Sequence, residues 1–250
     1  MTLGGAADLR LVAGVDGARG GWLVALRAID DPRQTRVLLV PAFADVLALD
    51  PAPVAIAIDI PIGLPERGRA GGRVCDVAAR THLGARQSSV FAVPSRAAVM
   101  CADYGSACAA ALATSDPPRK VSKQAFNLFP KIREVDRLMT PALQRRVMEC
   151  HPELAFVLLN GGRALEEPKK VKSQPYAPGL SLRRDLLTAA GYDMSQIEAV
   201  AFRKADVGAD DVIDAVALSW SAARIVRGDA LCCPADPPLD SRGLRMEIRA

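Results

Sequence analysis

The chain has no long charge-free run, almost no histidine and no paired cysteine motif, and each absence removes a class of protein. The longest stretch without Asp, Glu, Lys or Arg covers residues 104–115. That is shorter than the roughly 18 apolar residues a membrane-spanning helix requires, and it contains Gly and Ser, so a soluble protein with no membrane partner is expected. The first ten residues, Met-Thr-Leu-Gly-Gly-Ala-Ala-Asp-Leu-Arg, lack the basic start and apolar centre of a secretory leader, which implies a cytoplasmic location. Two histidines and six cysteines without a Cys-x-x-Cys spacing argue against a thiolate zinc site and for free thiols in a reducing compartment. Neither an internal repeat nor a low-complexity segment interrupts the chain.

What is present suits one globular domain. The chain has 250 residues, half of them apolar and 24% charged. At this length folding buries roughly 70 to 75% of the surface of the unfolded chain, enough to dispense with disulfides or a structural metal. A net charge of +4 tilts the surface toward anionic partners without the density of a histone-like binder.

Hydrophobic patterning orders the elements. Residues 11–27 read as an apolar run, a Gly-rich break at Asp16-Gly17-Ala18-Arg19-Gly20-Gly21 and a second apolar run, the pattern of a hairpin. Residues 35–40 supply a third strand and residues 43–49 a short helix. Residues 54–59 are apolar up to Asp59, as in a strand covered on both faces, and Ile60-Pro61 stops them. Residues 66–145 turn helical, with helices expected at 74–83, 104–114 and 122–139, and look like an insertion or subdomain. Residues 147–153 form a short strand running into a helix with Pro152 and Glu153 in its first turn. Further helices follow at 180–190 and 210–226, each closed by glycine, and residues 244–249 alternate like an edge strand. Strands followed by helices in this order indicate an α/β fold.

Acidic residues fall where this scheme has strand ends and a helix face. Asp16, Asp59 and Glu149 close strands, and Asp211 and Asp214 stand three apart on the last helix, beside an apolar run that must pack on the sheet. Each has an ordinary alternative: Asp16 a turn, Asp59 a loop cap, Asp210 or Asp211 a helix N-cap. Asp214 lies beyond the first turn and resists that reading. Buried carboxylates need partners, and with no basic residue beside Asp59 in sequence, a divalent cation held by several carboxylates is expected, Mg²⁺ or Mn²⁺ for oxygen ligands. His151 reads as a structural histidine. The cations at Arg119, Lys120, Lys123, Lys131 and Arg133 read as a solvated face, with a nucleic-acid groove as the sharper alternative.

The strings VDGARGGW, IDIPIGLP, RVCDVAARTHLGARQSSVFAVPSR, KIREVD, ECHPELAFVLLNGG and GLRMEI resemble the domain of unknown function 429 family, regarded as nucleases with the ribonuclease H fold. The resemblance runs from about Leu11 onward. It implies a mixed five-stranded sheet, its first three strands antiparallel, flanked by helices, with a helical insertion after the fourth strand. It also implies that Asp16 is the acid of the first strand and Asp59 that of the fourth. Asp211-x-x-Asp214-Ala-x-Ala-Leu resembles the terminal helix of bacterial Holliday-junction resolvases. Glu149 belongs to the family's own signature.

The resulting expectation is a metal-dependent phosphodiesterase, a nuclease acting on DNA or RNA. Asp16, Asp59, Asp211 and Asp214 are the expected metal ligands, and Glu149 joins them as a catalytic residue. Arg80, Arg86, Lys131, Lys169 and Lys170 are the expected substrate-binding cations, with Arg73 and Arg96 as further candidates for the phosphate-facing surface. Two rivals are a phosphotransfer enzyme of the sugar-kinase and actin type and a non-catalytic binding protein that retains the fold. The first is disfavoured by a single Asp-Gly hairpin in a chain of this length. The second is disfavoured by carboxylates converging without neutralising partners.

Overall fold

A computed structural model describes residues 10–172 and 174–250. The leader reading of the first residues therefore lies almost wholly outside the described residues.

Strand β1 (Leu11–Ala18) runs up the centre of a five-stranded sheet. It turns through Arg19 and Gly20 into β2 (Gly21–Ala28), and both strands are buried nearly end to end. Gly21 takes a φ of 140°, and a Cβ there would lie 2.2 Å from the Val40 carbonyl oxygen, so the turn needs glycine. Strand β3 (Thr35–Val40) pairs antiparallel with β2, and the short helix α1 (Phe43–Leu47) follows. Strand β4 (Ala55–Ile58) crosses back to lie parallel to β1, and β5 (Val147–Glu149) lies parallel to β4. The sheet order is β3-β2-β1-β4-β5. The strand limits agree with the sequence reading, except that the alternating tail is not an edge strand of this sheet. Ile248–Arg249 pairs with Cys232–Cys233, Arg245 bridges Leu239, and Arg249 meets the main sheet only through one bridge to Cys150, while Arg245 and Arg249 both turn their guanidinium groups onto Glu247.

Alternation along the strands sorts residues between two faces. Leu11, Ala13 and Val15 of β1 with Ile56 and Ile58 of β4 face one core. That core is closed by helices from between β4 and β5: α3 (Arg96–Val99), α4 (Tyr104–Thr114) and α5 (Lys123–Leu138), which supply Ala98, Val99, Ala107, Phe129, Ile132 and Val135. The helical segment thus forms one of the two layers over the sheet, rather than a subdomain beside it. A further helix, α2 (Val74–Arg80), packs at the sheet's edge with the C-terminal residues Ile248 and Ala250.

The opposite face carries α6 (Pro152–Leu159), α7 (Ala177–Ala189), α8 (Met194–Glu198) and the long α9 (Ala209–Arg227). Helix α9 ends at Gly228, whose φ of 81° gives the left-handed stop. Small residues let α9 lie directly on β1: a Cβ on Gly14 would come 2.1 Å from both the Ala215 carbonyl oxygen and the Ser219 nitrogen. This close contact, sealed by Val212, Ile213, Val216 and Ala217, brings the acids near the start of α9 over the end of β1. No helix among the described residues is long and apolar enough to cross a membrane.

Candidate active site

Strand polarity and parity decide which acids meet. Strands β1 and β4 are parallel neighbours, with Val15 level with Ile58 and the Asp59 N–H donating to the Val15 carbonyl at 3.0 Å, so Asp16 and Asp59 emerge side by side at their C-terminal ends. The sheet order reverses here, with β2 and β3 to one side of β1 and β4 and β5 to the other. In open α/β sheets the crevice outside the strand ends at such a switch point is the usual ligand site. Asp16 continues the parity of Val12 and Gly14, and Asp59 that of Ala55 and Ala57, placing both on the α9 face. Asp214, three residues into the buried part of α9, meets them there.

These acids repel one another in a poorly solvated place. Burial first, then the charges of Asp214, Asp59 and Asp211, push the Asp16 carboxyl well above the usual carboxylate range. Asp59 is also raised, mainly by burial, while His151 and Lys169 pull it down. Asp214 is pushed up to about 7 by burial, against the opposing effect of Lys169. Asp211 is raised by burial and partly relieved because its Oδ2 accepts the Gly208 N–H at 2.8 Å, so it also caps its own helix.

Lys169 is the cation of this cluster. Its ammonium pairs with Asp214 Oδ2, leaving Asp214 Oδ1 buried with no hydrogen-bond partner. Burial disfavours its charge, but Asp214, Glu153 and Asp16 more than offset that and hold it above the ordinary lysine value. Two expectations are corrected here. Asp59 lacks a basic neighbour in sequence but not in space, and the carboxylates do not converge unneutralised. Lys170 likewise pairs with Asp210 at 2.6 Å, with its own side chain exposed.

Glu149 leaves its strand on the other face from Asp16 and Asp59. It shares the parity of Val147, which faces the α3–α5 core. There both its oxygens are taken by Arg73, at 2.5 and 2.8 Å, and its Oε2 also accepts the Ile62 N–H at 2.6 Å. Arg73 pairs in turn with Asp76 and donates to the Ile62 and Gly63 carbonyls. This triad, nearly closed to solvent, clamps the loop after β4. Arg73 and Glu149 are therefore partners in a buried ion pair, although both also line the cavity at the strand ends.

The remaining cations divide. Arg80 is spent on the Val90 and Gly71 carbonyls, and Arg96 on Asp136 and Asp240. Arg86 makes no ion pair among the described residues and keeps a buried Nε without a partner. Lys131 reaches the site from α5, its Nζ donating to the Gly21 carbonyl at 2.6 Å and lying 4.2 Å from the centre of the Trp22 ring. Burial lowers its pKa, against Glu134, Asp16 and Asp211. A cavity of about 130 Å³ opens at the strand ends, lined by Asp16, Asp59, Lys131 and His151 and also by the Arg73, Asp76 and Glu149 triad. His151 caps α6, its Nδ1 accepting the Glu153 N–H at 3.2 Å, in keeping with a structural histidine. Sequence reasoning missed the buried pair of Glu153 with Arg183, which donates to both carboxylate oxygens at 2.7 Å and ties α6 to α7.

The oxygen donor set suits a hard divalent ion in kind, and Asp214 Oδ1 has a lone pair to spare. However, among the described residues no three carboxylate, imidazole or thiol groups are grouped as one metal site. All six cysteines are free.

Fold and site together define an α/β protein with a mixed five-stranded sheet and a buried carboxylate–lysine cluster at its switch point. The chain belongs to the family described as protein of unknown function DUF429, whose family model matches residues 14–239. No curated protein and no solved structure matches it.

Proposed function

We propose that the chain is a ribonuclease H-like phosphodiesterase that cleaves nucleic acid with the help of Mg²⁺ or Mn²⁺. The observation that carries this reading is the meeting of Asp16 and Asp59, on the ends of adjacent parallel strands, with Asp214 from the helix packed across them. The sheet order and its first three antiparallel strands support the ribonuclease H assignment. Asp16, Asp59 and Asp214 would hold the ion, with Asp211 at the rim. A bound ion would polarise the phosphate and lower the pKa of a coordinated water. Lys169 holds only Oδ2 of Asp214, so an ion bound through the free Oδ1 would meet its positive charge and favour its release. Once released, its ammonium stands beside the cluster as a partner for phosphate oxygens. Lys131 supplies a second cation on the α5 side of Asp16.

Lys169 also favours a second reading, a metal-free binding protein, because it supplies the neutralising partner that carboxylates otherwise lack. Labelled single-stranded, duplex and junction DNA and RNA, incubated with Mn²⁺, separate the two. Cleavage by the parent and none by Asp214→Asn supports the phosphodiesterase. Absence of cleavage on every substrate refutes it.

A further inference from the structure

A second cavity, of about 210 Å³, adjoins the one at the strand ends and has no role in the reading above. It lies between the segment after α2 and the junction of α4 with α5. Phe91, Val93, Ala111, Val121 and Ala125 give it an apolar floor, and Arg69, Arg119 and Lys120 stand on its rim. Among the described residues these three cations make no ion pair and no side-chain hydrogen bond. Arg119 is held only through its backbone N–H, which donates to Ser115 Oγ at 2.8 Å. Of the cations nearer the carboxylates, Arg73, Arg80, Arg96, Lys169 and Lys170 have carboxylate or carbonyl partners, whereas Arg86 has none among the described residues. Three uncommitted cations thus gather around one apolar cavity. Phe91 and Val93 line both cavities, which therefore lie side by side.

The geometry points to this cavity as a nucleotide subsite: it receives one nucleotide unit of the substrate next to the position cleaved, its base against Phe91 and its phosphate at Arg69, Arg119 and Lys120. The inference deepens the phosphodiesterase reading and rests on it. A flat apolar body bearing an anionic group matches an apolar floor with a cationic rim, and aromatic stacking together with cations along the backbone is how single strands are held. Asp116, next to this rim, is exposed and opposes the field only weakly.

The test uses the full chain and a short fluorescein-labelled single strand, followed by anisotropy in EDTA, with a nucleoside monophosphate and inorganic phosphate as competitors. Arg119 and Lys120 are exposed, so Arg119→Ala/Lys120→Ala does not threaten folding. This double variant is expected to weaken binding about tenfold or more. It should also flatten the slope of log Kd against log salt by about 1.4, the change expected when two cations no longer meet the phosphates of a single strand. Phe91→Leu keeps the wall apolar, removes the stacking face and should weaken binding about fivefold or more, while Phe91→Tyr restores it. The monophosphate should compete better than inorganic phosphate. Parent affinity in both the double variant and Phe91→Leu overturns the subsite, whether or not the protein cleaves. If the variants bind as weakly as expected yet the parent cuts nothing with Mn²⁺, the subsite stands and the phosphodiesterase reading fails.

Discussion

Replacing Lys169 by Met tests whether its ammonium neutralises the acid cluster. Removing one member of a buried ion pair costs about 3–5 kcal/mol if the survivor stays charged. Asp214 has a second route, because burial already lifts its carboxyl to about 7 with Lys169 in place. Forcing a proton onto it above that pH costs about 1.4 kcal/mol per pH unit. The cheaper route sets the loss: about 1.4 kcal/mol at pH 8, about 2.7 kcal/mol at pH 9 and almost nothing below pH 7. With about 2–4 °C per kcal/mol for a chain of this size, melting should fall by about 3–6 °C at pH 8 and about 5–11 °C at pH 9.

The sign follows from proton counting. Asp214 titrates near 3.8 when unfolded and at about 7 when folded, so between those values the folded chain binds the extra proton. Stability from this group therefore declines as pH rises from about 4 to about 7 and then levels off in the parent. In Lys169→Met the folded value moves higher and the decline continues past pH 7. Thermal unfolding by circular dichroism in EDTA, from pH 5 to 9, should show the two curves together at pH 5 and diverging above 7. Lys169→Arg should track the parent. Parallel parent and Met curves across pH 7–9 would refute the pairing.

Most of the fold was legible because its signals are local and periodic. The hairpin, the apolar run ending in Asp59 and the helices over residues 104–114 and 209–227 each carry a single pattern with a clear stop. The role of the segment between β4 and β5 was not legible, since nothing local states that Phe129, Ile132 and Val135 cover the sheet while the helix's other side faces water. At the site, strand-end acids could be picked out, but parity separates them. Asp16 and Asp59 share a face, whereas Glu149 occupies the other, and a three-residue strand offers too little alternation to read that from sequence. The fates of the lysines are wholly tertiary. Lys169 and Lys170 read in sequence as substrate-binding cations, and only α9 brings Asp214 and Asp210 against them. Arg73 three residues before Asp76 is a readable pair, but only folding supplies Glu149 as its second partner.

Three further outcomes follow from the same geometry. Gly14→Ala drives a methyl into the backbone of α9 and should cost about 3 kcal/mol or more, read as a lower urea midpoint with unchanged slope; a parent midpoint would mean that α9 does not lie directly on β1. Arg73→Met strands Glu149 and Asp76 without their cation and should cost about 3–5 kcal/mol, whereas Glu149→Gln, which keeps a hydrogen-bonding group, should cost less and leave cleavage largely intact. Abolished cleavage in a folded Glu149→Gln protein would return Glu149 to the catalytic set. The last outcome concerns the ion. If Asp16, Asp59 and Asp214 bind Mn²⁺, the ion at a hundred times its dissociation constant adds about 2.7 kcal/mol by mass action, a rise of about 5–10 °C in melting. Lys169 competes for the same carboxylate, so Lys169→Met should bind Mn²⁺ more tightly even though it is less stable without it at pH 8. Asp214→Asn should instead lose the Mn²⁺ shift while melting near the parent in EDTA, since it removes a costly buried charge together with its pairing. These opposite responses of the two partners distinguish a metal site from a salt bridge that only holds the fold. Equal Mn²⁺ shifts in the parent, Lys169→Met and Asp214→Asn would place the ion elsewhere and leave the cluster a structural ion pair.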